Sequence, residues 1–352
     1  MKVKALIAFI EVLLTGIILG TSCWKITSPE SNSGVWRVQY TDTLGGLSGV
    51  DFVDKNNGWA VGMSGLILHT SDGGLTWMVQ SSEVNVYLED VCFVDTLTGW
   101  IVGREGTILH TKDGGLNWEF QESGTNLDLK SVCFVDKNHG WVVGGDSDPC
   151  ISIGVVLHTD NGGKEWELQM KTTEGRVEDV TFVDTVEGWI VGRFSTPDNS
   201  KGWILHTSNG GKNWITQRKE DGKWLLEVFF VDKDYGWATG VGGTILHTNN
   251  GGASWHSQES GTEEFLNGIS FTDHNNGWIV GTRMVSGSDY HCLTILHTVN
   301  GGACWNMQEV DVGTIWNSLT DVDFVDSLHG WAVGYAPLII LRYHQRWIEK
   351  NE

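Results

Sequence analysis

A chain of 352 residues with a net charge of −21, 46 glycines, 19 tryptophans and four prolines lacks the basic stripe that a nucleic-acid backbone requires, and it is too poor in proline for a Pro-rich linker. The acidity instead keeps a Trp-rich surface in solution. Length alone suggests about two domains, but an internal repeat overrides that reading.

In chain order, the first segment reads as a targeting sequence. Lys2 and Lys4 form a basic start, residues 12–20 an apolar run, and Gly20-Thr21-Ser22 a small-residue stretch before Cys23. The run is short for a bilayer span, so a signal peptide over residues 1–22 is expected. Cys23 is a candidate for acylation as in a bacterial lipoprotein, although Leu19 lies four residues before it and a lipobox places Leu three before. Residues 23–34 read as a polar tether, and residues 35–352 as one repetitive domain.

From there the phrase F-V-D-x-x-x-G-W recurs, ending at Trp59, Trp100, Trp141, Trp189, Trp237, Trp278 and Trp331. A period of about 40 to 50 residues is that of a four-stranded propeller blade, which cannot bury both faces alone. The first copy predicts strands at residues 50–53, 59–61, 66–70 and 77–80, with turns at Asp54–Gly58 and Ser71–Gly74 carrying acceptors and glycines where turns want them. The expected fold is all-β: a seven-bladed β-propeller of four-stranded antiparallel blades. Trp36-Arg37-Val38-Gln39 matches the outer strand Trp77-Met78-Val79-Gln80 but precedes the first full copy. The last copy, residues 322–341, supplies three strands. The N-terminal segment is therefore expected to complete blade 7 and remove the open edge, with Trp347 beginning a rival closing strand.

Six copies continue into I/V-L-H-T, and the histidine is followed by a Trp eight residues on in every one, from His69–Trp77 to His297–Trp305. The interval from Gly-Trp to that histidine is 10 residues in copies 1, 2 and 5, 17 in copies 3 and 4, and 19 in copy 6. Length variation thus falls between the second and third strands, which in a meander share a sheet end with the inter-blade connections. One face is uniform and the other variable, and variable loops on a fixed scaffold are where binding is expected.

The segments Thr70–Trp77, Thr111–Trp118, Thr159–Trp166, Thr207–Trp214, Thr248–Trp255 and Thr298–Trp305 resemble Asp-boxes, the BNR repeat of bacterial neuraminidases. The wider unit, F-V-D…G-W-x-V-G…G-x-I-L-H-T-x-D-G-G-x-x-W, resembles the photosystem II stability/assembly factor family of seven-bladed propellers over residues 36 to about 347. That resemblance implies a non-catalytic scaffold that holds other proteins.

The repeated histidines sit one per blade, too far apart to share a metal. The aspartates Asp54, Asp95, Asp136, Asp184, Asp232, Asp273 and Asp326 recur at a turn and read as turn acceptors. Asp72, Asp113, Asn161, Asn209, Asn250 and Asn300 share one position, and the Asn copies point to a hydrogen-bonding role. Cys92 and Cys133, at one position of neighbouring copies, read as small packing residues, and no cysteine spacing suggests zinc. No cofactor is expected. Partner-binding candidates come from the variable face: Arg104, Arg193 and Arg283 after a V-G pair, with Tyr290, Trp224 and Trp316, since Arg and aromatics are enriched at hot spots. Around them lie Asp146, Asp148, Phe194, Asp198, His291, Tyr87, Arg176 and Phe265. The expected role is a protein-binding scaffold, exported to a bacterial cell envelope or secreted, touching membrane only through its signal or lipid anchor. The enzymatic alternative is a sialidase-like Asp-box propeller, with three arginines clamping a carboxylate and a Tyr nucleophile. It lacks the Arg-Ile-Pro motif of that class. A third reading, calcium or carbohydrate binding at Asp146-Ser147-Asp148, has too short a spacing for an EF-hand loop.

Overall fold

The computed structural model describes residues 35–42, 45–148, 151–173, 175–196, 199–284, 291–308, 310–311, 318–335 and 338–344, all within the compact unit Asn32–Glu352. The signal, tether and lipidation expectations, including Cys23, lie outside them, as do Asp198, Tyr290, Trp316 and Trp347.

The described residues form seven sheets, six of them four-stranded meanders. Blade 1 is Leu47–Phe52, Gly58–Gly62, Ile67–Thr70 and Met78–Gln80. Its inner strand starts three residues earlier than its sequence suggests, because Gly46 to Gly49 carry no apolar alternation. Blades 2 to 6 open at Leu88, Leu129, Arg176, Leu225 and Phe265. Blade 7 contains Ser318–Asp326, His329–Tyr335 and Leu338–His344, and is closed by the N-terminal strand Val35–Asp42 paired antiparallel to Leu338–His344. Trp36 of that strand is fully buried and packs edge-on against Phe324 at 5.6 Å. The same geometry joins Trp77 to Phe52 in blade 1, so the sequence match to an outer strand is also a structural one. One element was not legible: Val310–Asp311 pairs parallel with Trp36–Arg37 and makes this sheet five-stranded.

The conserved residues of the repeat lock one blade to the next. Each inner-strand Phe stacks face to face on the Gly-Trp indole of the preceding blade, from Phe93 on Trp59 at 3.5 Å to Phe324 on Trp278 at 3.7 Å. Phe52 on Trp331 at 3.5 Å closes the circle. Burying an indole of about 150–250 Å² at roughly 25 cal/mol per Å² gives about 4–6 kcal/mol each, an upper bound because the unfolded chain already shields part of it. The glycine before each Trp is required by this stack: a Cβ on Gly58 would lie 2.4 Å from the Phe52 ring.

The Asp-box turns latch onto the neighbouring blade by hydrogen bonds. Trp59 Nε1 donates to the Gly114 carbonyl at 3.3 Å, and Gln80 Nε2 donates to the same oxygen at 2.8 Å. The pattern repeats at Gly162, Gly210, Gly251 and Gly301, and Trp331 Nε1 reaches Gly73 across the closure. Blade 7 has no Asp-box, and the Trp278 indole that faces it is buried without a partner.

The histidines stack on the Gly-Trp indole of their own blade, at 4.5 to 5.0 Å. In blade 7 Arg342 takes that slot, 5.6 Å from Trp331. Every turn aspartate accepts backbone N–H groups two and three residues on, as Asp54 does from Asn56 and Asn57 and Asp326 from Leu328 and His329. The Asp-box position accepts the N–H four residues on whether it is Asp72 or Asn161. An amide and a carboxylate both serve because this shared bond uses one oxygen; the second group differs, with Asp72 Oδ2 accepting from the Thr76 hydroxyl and Asn250 Nδ2 donating to Ser254.

Candidate partner-binding face and central channel

Every inner strand is interrupted by a β-bulge near its start, between Leu47 and Gly49, Leu88 and Asp90, Leu129 and Ser131, and at the matching places in the other four blades. A bulge re-aims side chains, so successive residues such as Glu89 and Asp90, or Glu178 and Asp179, both line the central channel. The channel space is about 310 Å³.

Asp51, Asp90, Asp179, Glu227, Asp321 and Asp323 project into it. Each accepts a backbone N–H from the next inner strand: Asp321 from Val50, Asp323 from Phe52, Asp51 from Phe93, Asp90 from Val132, Asp179 from Val228 and Glu227 from Ile269. Burial disfavours the ionised form of all six, and mutual repulsion adds to it in most. Asp179 and Asp321 are raised to about 6, Asp323 to about 7, and Asp51, Asp90 and Glu227 well above the usual carboxylate range. Cys92 and Cys133 are free thiols in the same wall. They are more than packing residues: Cys92 Sγ accepts the Phe134 N–H at 3.4 Å, standing where other blades use Asp51 or Ser270. Burial pushes both thiols up, Cys133 to about 12, which disfavours the thiolate.

At the bulges a charged rim surrounds this wall. Arg104 is 52% exposed, pairs with Glu89 at 3.2 Å and lies 4.8 Å over the Tyr87 ring. Lys130 of the next blade bonds the same Glu89. Arg193 pairs with Glu178 at 2.6 Å and lies 4.2 Å over Trp224 of blade 5, while Arg176 also bonds Glu178. The peptide N–H of Arg104 donates to Tyr87 O, and that of Val241 to Trp224 O, so second-to-third connections and inter-blade connections meet. Burial, then Glu89, raises the Tyr87 phenol to about 12.

Glu89 and Glu178 line the channel space, whereas Arg104 and Arg193 are not among its lining residues. Each arginine is held by its own blade's glutamate. Arg283 lies in the strand Gly277–Met284, with its backbone paired to Cys292 in His291–Thr298; its side chain lies outside the described ones, as do those of Asp148 and His291. Asp146 is exposed, and no group of three His, Cys, Asp or Glu side chains among the described residues is placed to hold a metal. The channel carboxylates and the Glu89–Lys130 bridge were missed by reading the repeat for what is constant. Their signal was present, since the residue three before each inner-strand Phe alternates among Gly, Ser, Asp and Glu. Cys304 is disulfide-bonded.

A family model described as photosynthesis system II assembly factor YCF48 matches residues 28–121, 77–175, 118–223, 165–259, 217–307 and 253–346. A curated relative, the photosystem II assembly lipoprotein Ycf48 of Prochlorococcus marinus (strain NATL2A), is 40% identical over 65 residues, 18% of this chain and 19% of its own length. The solved structure of YCF48 bound to D1 peptide superposes with a TM-score of 0.67 at 21% identity, covering 88% of this chain and 97% of that one. YCF48 from Cyanidioschyzon merolae gives 0.66 at 21% identity, covering 88% and 98%. At that identity the superpositions speak to fold alone.

Proposed function

Because this chain belongs to the photosynthesis system II assembly factor YCF48 family, we propose that it is a non-catalytic holder of another polypeptide, engaged through the loop face. The rim carries the reading: Arg104 on Tyr87 and Arg193 on Trp224, each oriented by a glutamate, stand where the copies differ. Cations preset over aromatic rings lose little side-chain freedom when a partner arrives, and Trp, Tyr and Arg dominate such contacts. A relative's complex with D1 peptide makes that peptide the first ligand to try. Export with lipidation at Cys23 is part of the same proposal, supported by the lipoprotein relative and by the disulfide at Cys304, a bond that persists in oxidising compartments. A sialidase reading gains nothing from the geometry, since a substrate carboxylate would compete with Glu89 and Glu178 for the two described arginines.

Calorimetric titration with D1 peptide tests the proposal. Saturable binding is expected, weakened about tenfold or more by Arg104→Glu or Trp224→Ala with thermal stability unchanged. If D1 peptide does not bind, a photo-cross-linker placed at position 104 in cells should still trap one defined envelope protein. Failure of both removes the holder reading, and turnover of a fluorogenic sialoside would replace it.

A further inference from the structure

Between the outer strand of blade 3, Glu167–Thr172, and blade 4 lies an apolar cleft of about 150 Å³ walled by Met170, Phe194, Trp203 and Leu205. It exists because blade 4 departs from the repeat. Three residues before the repeated histidine, the other copies carry Leu66, Thr107, Val155, Thr244 and Thr294, whereas blade 4 carries Trp203. The indole fits only because Gly192, its cross-strand partner, has no side chain; a Cβ there would lie 2.2 Å from the ring. The extended hairpin then lifts Phe194 over the indole, with ring centroids 6.1 Å apart at 51°.

Two observations mark the cleft as a candidate pocket. Met170, Phe194, Trp203 and Leu205 give it apolar walls beside the polar edge of Thr172, Thr216 and Lys219, and apolar wall atoms facing a void forgo dispersion contacts. The exposed Lys219, on the outer strand Ile215–Asp221, holds its ammonium 4.2 Å from the Phe194 centroid at the mouth, beside exposed Thr216. An apolar cavity of about 150 Å³ accommodates a benzene ring, so the volume fits a phenyl or isobutyl group, and the ammonium supplies charge for a carboxylate next to it.

We propose that this cleft is a side-chain pocket for a held polypeptide, taking a bulky apolar side chain with an acidic residue immediately beside it that reaches Lys219. The proposal rests on the polypeptide-holding reading and adds a sequence preference to it.

Indole N–H resonances of the full chain, with Trp203 assigned by its loss in Trp203→Phe, provide the test. The probe is the acetylated, amidated peptide Gly-Phe-Glu-Gly. It should shift the Trp203 resonance saturably, and the Gly-Ala-Glu-Gly analogue should not. Replacing the peptide's Glu by Gln, or Lys219→Met, should each weaken binding about threefold, as expected for an exposed ion pair. Thr216→Phe, which plugs the mouth from an exposed strand position, should abolish the shift while melting as wild type does. No saturable shift with the Phe-Glu peptide, or an equal shift with the Ala peptide, overturns the pocket. Equally tight binding of free 3-phenylpropionate overturns the polypeptide occupant. Because Arg104→Glu does not touch the cleft, a lost pocket with intact Arg104-dependent D1 peptide binding would remove this inference alone.

Discussion

The hairpin end of each blade and the channel wall carry opposite kinds of sequence. At the hairpin end the copies agree, and what they agree on bonds to turn atoms: an indole, a glutamine, a threonine hydroxyl and a turn aspartate whose charge its N–H groups favour. In the wall the copies disagree, and the wall collects carboxylates whose charge is costly there. The same inner strand contributes to both ends, so the contrast does not come from secondary structure. It comes from which groups each blade must present to its neighbour and which it presents to the axis. Identity across copies reports the joint between blades, whereas divergence marks the surfaces left free for something else.

Breaking a joint should have the largest effect. Trp331→Ala removes the stack on Phe52 and the bond to Gly73 at the closure, and is expected to cost about 3–5 kcal/mol, read as a lowered denaturation midpoint. A midpoint within error of wild type would show that the ring does not depend on its closing stack. Gly58→Ala drives a methyl into the Phe52 ring and is expected to cost about 1–3 kcal/mol.

The wall should respond to pH with the opposite sign to the joints. Asp321 and Asp323 have folded-state pKa values of about 6 and 7, raised by burial above their unfolded values. Their penalty is therefore largest above those values, is relieved progressively as pH falls from them, and is absent only below the unfolded-state value of 3.8. Asp323→Asn is expected to stabilise the protein by on the order of 1–3 kcal/mol at pH 7.5, and the gain should shrink as pH falls and vanish near pH 3.5, below the unfolded-state value of 3.8, where the wild-type carboxyl is protonated in both states. Equal effects at both pH values would contradict the buried-charge account. The stacked His110 and His297, lowered by burial to about 4, act the other way: their neutral form is stable at pH 7.5, and stability is lost as pH drops from 6.5 towards 4. Chemical denaturation of His297→Asn across that range should show a shallower acid loss than wild type.

The smallest change sharpens the comparison. Asp72→Asn should alter stability by no more than about 0.5 kcal/mol, because Asn161, Asn209, Asn250 and Asn300 make the same bond to the N–H four residues on. Asp72→Ala should cost about 1 kcal/mol.

Much of the architecture was written in the chain itself. A period set by one Gly-Trp per blade, turn residues with local bonding needs, and an orphan outer-strand motif at Trp36 fix seven blades and their closure, because each of these is a local or nearest-neighbour requirement. Asp54 accepts its turn N–H groups wherever the rest of the protein lies. The axis was decided elsewhere. Asp51, Asp90 and Asp323 are ordinary acids in sequence, and only closure of the ring brings them together, raises their pKa values and hands each the backbone of the next blade. Arg104 and Arg193 were visible as candidates, but their glutamate partners depend on a bulge that the sequence does not announce. The cleft at Trp203 needs two blades and a missing Cβ at Gly192. Repetition encodes contacts a blade makes with a copy of itself; burial, charge coupling and cavities depend on where all seven meet, and those are properties of the assembled circle.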